Sequence, residues 1–196
     1  LGVLVLATTT LVGLPAAYIL ARYRIRGKTV FTALTLLPIV LPAYAGAFAF
    51  IVFFGKWGTV NLLLTDWGIV KEPVNFIYGL HGLVFIQSLH LLPFIVLSLL
   101  AGFTNIDPSL EEAAEVEGAG SIRRFFTITL PLATPSYFAG AVLVFLWPFT
   151  DWLTPIILGQ VDYLPSIAYL NIAYHFTDVY RKYMGIVSVV VAAVIC

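Results

Sequence analysis

Charge is what this sequence has least of. Asp, Glu, Lys and Arg together make up 10% of its 196 residues, against roughly 25% in a soluble domain. That shortage excludes an ordinary water-facing globule. Cysteine is nearly absent as well, with Cys196 the single example, which excludes an internal disulfide framework and a cysteine-based metal cluster. The formal net charge of zero says nothing about a nucleic-acid partner, but there is no basic run to track phosphates, so none is expected. Strict alternation over segments of about ten residues is missing, which excludes a transmembrane barrel. A signal peptide with a charged leading region is missing too.

What remains is apolar. Hydrophobic residues make up 61% of the chain and the mean hydropathy is +1.00. Several runs approach the roughly 20 residues that cross a bilayer as a helix. The chain opens on Leu1 and closes on Cys196, each inside an apolar run. We therefore expect an all-α polytopic bundle, seen as an internal fragment with four full spanning helices and one truncated one, forming a single domain over residues 1–196.

Segment A covers about residues 1–21, carries Pro15, and ends in a cluster of Arg22, Arg24, Arg26 and Lys28. Segment B covers about 29–54, with Pro38 and Pro42 in its first half. From Gly55 to Pro73 the chain is mixed, and Trp57 and Trp67 suit the headgroup zone. Segment C covers about 75–103, a polar loop about 104–131, and segment D about 132–150. A tyrosine-rich stretch, 153–183, precedes segment E, which starts near Met184. Ile167, Leu170 and Tyr174 recur there at helical spacing, the pattern of a helix lying along a membrane surface. Asp162, Asp178, Arg181 and Lys182 offer contacts to an outside partner or a plain solvated face.

Orientation follows from Lys and Arg. The A–B and C–D loops share one side, which holds Arg22, Arg24, Arg26, Lys28, Arg123 and Arg124. The opposite side holds Lys56, Lys71, Arg181 and Lys182. The dense cluster after segment A places the polar loop in the cytoplasm.

That loop breaks the apolar pattern most sharply. Asp107, Glu111, Glu112, Glu115, Glu117, Arg123 and Arg124 fall within about two dozen positions, which no hydrocarbon environment tolerates. Asp107-Pro108 is a helix start, because Asp accepts from free amides and Pro suits the first helical position. The glutamates that follow face the positive end of the helix dipole. Ala113 and Ala114 make a smooth helical surface, and Gly118 is a natural stop. A second short helix is expected to start at Ser121 and end before Pro131.

Glu112-Ala113-Ala114, then Gly118, Ile128 and Leu130-Pro131, stand at the spacing of the EAA loop. On these residues the chain resembles the permease subunits of binding-protein-dependent ABC importers. The resemblance implies a type I-like permease fold in a bacterial inner membrane, with no catalysis and no cofactor of its own. It implies a cytoplasmic ATP-binding subunit docked on the loop, an extracytoplasmic substrate-binding protein, and a second permease half as partners. Glu112, Ala113, Ala114, Gly118, Ile128, Leu130 and Pro131 then couple ATP hydrolysis to transport. The stretch from Asp151-Trp152-Leu153-Thr154-Pro155 to Gly159 resembles ferric iron permeases, with polyamine, phosphonate and thiamine importers as alternatives.

Asp151, Gln87 and Ser88 are the translocation-path candidates, each with a competing structural role in helix-end solvation or interhelical hydrogen bonding. His81 and His90 lie nine residues apart, on opposite helix faces, which is not metal-ligand spacing. An ion-coupled secondary transporter is the rival class. It calls for carboxylates inside the spanning segments, and A, B and C hold none in their apolar cores. A membrane enzyme calls for a clustered catalytic set, which the sequence lacks.

Overall fold

In the computed structural model the described residues are 1–23 and 26–174, with isolated positions beyond. Arg24, Asp178, Arg181, Lys182 and the start of segment E lie outside them. Among the described residues every regular element is helical. The order is α1 (Gly2–Arg22), α2 (Lys28–Val40), α3 (Ala43–Phe54), α4 (Thr59–Asp66), α5 (Leu80–Thr104) and α6 (Pro108–Val116). After these come α7 (Ser121–Arg124), a π-helical turn (Phe125–Thr129), α8 (Leu130–Leu146), α9 (Leu153–Ile157) and α10 (Leu164–Tyr174). Among the described residues four stretches are long and apolar enough to cross a membrane: Gly2–Arg22, Ala43–Asp66, Leu80–Thr104 and Ser121–Phe149.

The bundle is built on α5. Leu91, Ile95, Leu99 and Phe103 are fully buried, packed with Val5 and Ala17 of α1 and Ala133 and Val144 of α8. Lipid tails are as apolar as leucine, so close packing and interhelical hydrogen bonds must hold such helices together. Small residues supply the close packing. A Cβ on Gly140 of α8 would stand 2.7 Å from the carbonyl oxygen of Phe94 on α5. A hydrogen bond between Thr10 Oγ1 and the Tyr137 hydroxyl (3.0 Å) joins α1 to α8. Large side chains such as Leu11, Phe48 and Phe138 face outward along the spans.

Segment B differs from its expected form. It is two helices, α2 and α3, with Leu41 between them in extended conformation (φ −95°, ψ 137°). Pro42 explains the break: its ring disfavours helical geometry at the preceding residue, and it has no N–H to donate. Pro15, Pro38, Pro93 and Pro135 stay inside helices.

The second loop helix differs too. It does not end before Pro131 but continues as one run through Phe149. The π turn makes this continuation workable. The Leu130 N–H reaches back to the Phe125 carbonyl, and this wider turn precedes the residue whose ring would crowd an α-helical ladder.

Segment C starts later than expected, at Leu80. Before it, Asn61 is buried and organises the loop. Its Nδ2 donates to the Gly55 and Val74 carbonyls (2.8 and 2.9 Å), and its Oδ1 accepts from Val74 N (2.8 Å). Trp57 and Trp67 are exposed beside it.

Candidate functional site

The polar loop folds as a capped helix, a glycine bend and a second helix. Asp107 Oδ1 accepts from Ser109 N at 2.9 Å, and Pro108 opens α6. The same bond holds the Asp107 carboxyl below its ordinary pKa, because the amide favours the charged form. Gly118 sits at φ +86°, the left-handed region where other side chains are strained. The Gly118 N–H donates to Glu115 O and the Ala119 N–H to Ala114 O, closing the end of α6.

The bundle grips one side of α6. Glu111 Oε1 accepts from Arg22 Nη2 at 2.5 Å and from Thr129 Oγ1 at 2.6 Å. Arg124 donates to the Glu115 carboxylate and, at 3.4 Å, to the Glu111 carbonyl. Beneath them an aromatic floor forms: Tyr18 packs edge-on against Phe103 (5.7 Å) and Phe125 (4.9 Å). The end of α1 and the loop after α5 therefore share one end of the bundle, as the crossing pattern requires.

The other side of α6 is open. Glu112, Ala113 and Gly118 are exposed, as are Leu110 and Val116, the latter at 89%. Ala114 is half-buried. Ile128, Leu130 and Pro131 lie away from that surface, in the π turn and the first turn of α8, where Ile128 and Leu130 are half-buried. The seven motif positions thus divide between α6 with its glycine bend and the π turn with the first turn of α8. Sequence reasoning passed over Glu111, Arg22 and Thr129. Arg22 and Thr129 sit 89 and 18 positions from Glu111, beyond the reach of local pattern.

The path candidates separate. Gln87, buried on α5, donates through Nε2 to Asp151 Oδ2 (3.1 Å), and Asp151 Oδ1 accepts from Thr154 N (3.1 Å). Gln87 Oε1 and Thr154 Oγ1 are buried without partners. Ser88 points elsewhere, toward the Val5 carbonyl of α1 at 3.5 Å. His81 is exposed, whereas His90 lies beside Trp147 with ring centroids 5.7 Å apart. An apolar cavity of about 310 Å³ opens at the α2–α3 break, lined by Pro38, Pro42, Gly46, Ile86 and His90 among others.

A spanning bundle broken at one proline, with a capped helix–turn–helix clamped to one end, defines the helical core of a membrane permease. The chain belongs to the family of binding-protein-dependent transport system inner membrane components, whose model matches residues 13–196. It is 36% identical over 129 residues to the molybdenum transport system permease protein ModB of Haemophilus influenzae, covering 66% of this chain and 55% of that protein. To ModB of Escherichia coli K12 it is 32% identical over 162 residues, covering 80% and 69%. The ferric transport system permease protein FbpB of Actinobacillus pleuropneumoniae is 29% identical over 160 residues, covering 80% and 23%. The chain thus spans 55–69% of the two molybdenum permeases. A bacterial ABC transporter that imports alginate shares the fold, with a TM-score of 0.72 at 22% identity over 98% of this chain and 73% of that one. Relatives named for molybdenum and for ferric iron both occur, so the expected ferric type is not singled out.

Proposed function

We propose that this chain forms the translocation core of an ATP-driven importer and takes its driving force through α6. The supporting observation is the two-sidedness of that helix: clamped to α1 and the π turn on one side, open and smooth on the other. A cytoplasmic ATPase subunit docks on the open side. Closure of the ATPase dimer pushes α6, and the helices of two permease halves rock between inward-open and outward-open states. A binding protein delivers cargo from outside the cell. Catalysis belongs to the ATPase, and the polar loop faces the cytoplasm.

For cargo, the likeness to molybdenum permeases at 36% and 32% identity supports a small oxyanion such as molybdate. Ferric iron is the second reading, supported by the stretch from Asp151 to Gly159. The test is uptake by the full-length protein assembled with its ATPase and binding protein in proteoliposomes. ATP-dependent accumulation of molybdate is expected; accumulation of ferric iron alone establishes the second reading. Accumulation driven by an ion gradient without ATP overturns the importer assignment.

A further inference from the structure

The motif carboxylate Glu112 is exposed and has no hydrogen bond to another described residue, whereas its neighbour Glu111 is at the centre of a network. A single oxygen, Glu111 Oε1, receives the Arg22 guanidinium at 2.5 Å and the Thr129 hydroxyl at 2.6 Å. Arg22 ends α1 and Thr129 ends the π turn. Three chain segments, the end of α1, α6 and the π turn, therefore converge on one carboxylate. The Arg22 and Glu111 side chains are only 20% and 22% exposed, so water competes weakly for either.

A charged acceptor shared by two donors fixes direction as well as distance. Both donors also stand on rigid supports. Arg22 continues the helix that carries Tyr18, whose ring packs on Phe103 and Phe125. Thr129 is buried at 1% exposure. Arg124 adds a second hold through Glu115 and the Glu111 carbonyl. A push on α6 has no slack contact through which to dissipate.

We propose that Glu111 is the positioning residue of coupling: through Arg22 and Thr129 it makes α6, the end of α1 and the base of α8 move as one body. This rests on the coupling role assigned above to α6. Glu112 meets the docked subunit, and Glu111 passes the displacement inward. If the three segments never separate during the cycle, a covalent bond between two of them does no harm.

The experiment uses the full-length permease assembled with its ATPase in proteoliposomes. Arg22→Cys and Glu111→Cys are combined and bridged with a short thiol-specific bifunctional reagent that spans the gap left by the two side chains, and transport per ATP hydrolysed is compared with the unbridged form. Glu111→Gln and Arg22→Met are measured in parallel, with co-purification of the ATPase scored for each. Transport per ATP should fall by about tenfold or more in Glu111→Gln and Arg22→Met, the scale of losing a charge-assisted hydrogen bond. The ATPase should still co-purify. Bridging the double cysteine variant should restore transport toward the parent level. Loss of transport on crosslinking overturns the proposal, because it shows that the segments must part. Parent-level coupling in Glu111→Gln also overturns it. Failure of the parent protein itself to hold an ATPase defeats instead the coupling role of α6, and is told apart by that control.

Discussion

Arg22 Nη2 and Glu111 Oε1 are 89 positions apart in sequence and 2.5 Å apart in space. That bond joins the end of the first spanning helix to the first turn of α6. It also separates two adjacent glutamates that look alike in sequence. Glu111→Ala removes the acceptor and leaves a mostly buried guanidinium, so it should destabilise the protein by about 1–3 kcal/mol. Glu112→Ala, at an exposed position, should stay within about 0.5 kcal/mol of the parent. Reversible unfolding in detergent, with both variants side by side, checks the difference.

Asp107 gives α6 a pH-sensitive start. Its carboxyl titrates below the ordinary carboxylate range because Ser109 N donates to the charged form. A depressed folded-state pKa contributes stability above the unfolded value, near 3.9, and that contribution is lost as pH falls through the lower folded value. The protection factors of the α6 amides, corrected for the intrinsic pH dependence of exchange, should therefore fall in acid, with an onset that disappears in Asp107→Asn. Hydrogen exchange across Pro108–Val116 between pH 5 and pH 2.5 measures it.

Gly118 and Gly140 are both required, for different reasons. At Gly118 the backbone is left-handed, and an added Cβ would meet nothing within 4 Å. Gly118→Ala should then cost only the conformational penalty of about 1–2 kcal/mol, and Gly118→Asn less. Gly118→Asp adds a carboxylate beside Glu117, and should leave insertion intact while uncoupling hydrolysis from transport. At Gly140 the obstacle is the Phe94 backbone, 2.7 Å from the added Cβ. Gly140→Ala must push α8 off α5, at about 1–3 kcal/mol. Thermal unfolding in detergent should rank Gly140→Ala as the more harmful of the two alanine variants.

Asn61 ties the loop between α3 and α5 with three hydrogen bonds. Asn61→Ala leaves the Val74 amide unpaired and removes one of the two donors to each of the Gly55 and Val74 carbonyls, at about 1–3 kcal/mol. Asn61→Asp should be worse, since one carboxylate oxygen then faces the Gly55 and Val74 carbonyls where an amide donated. Thermal unfolding of the two variants gives the order.

Much of this was legible in the sequence because it is local. The Asp107 cap, the Pro108 start and the Gly118 bend follow from backbone rules spanning a few residues, and the structure has all three. The spans Gly2–Arg22, Leu80–Thr104 and Ser121–Phe149 follow largely from apolar length, whereas Ala43–Asp66 is displaced from segment B. What escaped reading was long-range or cooperative. Five prolines share one local chemistry, yet only Pro42 among Pro15, Pro38, Pro42, Pro93 and Pro135 ends its helix, so that chemistry permits a break without dictating one. The π turn before Pro131 has no sequence signature, so the expected stop became a continuous helix. Gln87 and Asp151 were identifiable separately as costly polar groups, but their bond spans 64 positions. Ser88, adjacent to Gln87, turns to α1 through helical geometry that polarity does not encode.

The open face of α6 tests the central claim most directly. Ala113, exposed at its middle, is replaced by cysteine in the full-length protein, which is treated with a short bifunctional crosslinker with and without ATP. A crosslink to a co-purifying ATP-binding subunit, changing in yield when ATP is added, is the expected result. A properly inserted protein with no such partner would contradict coupling through α6 and point to transport driven by an ion gradient.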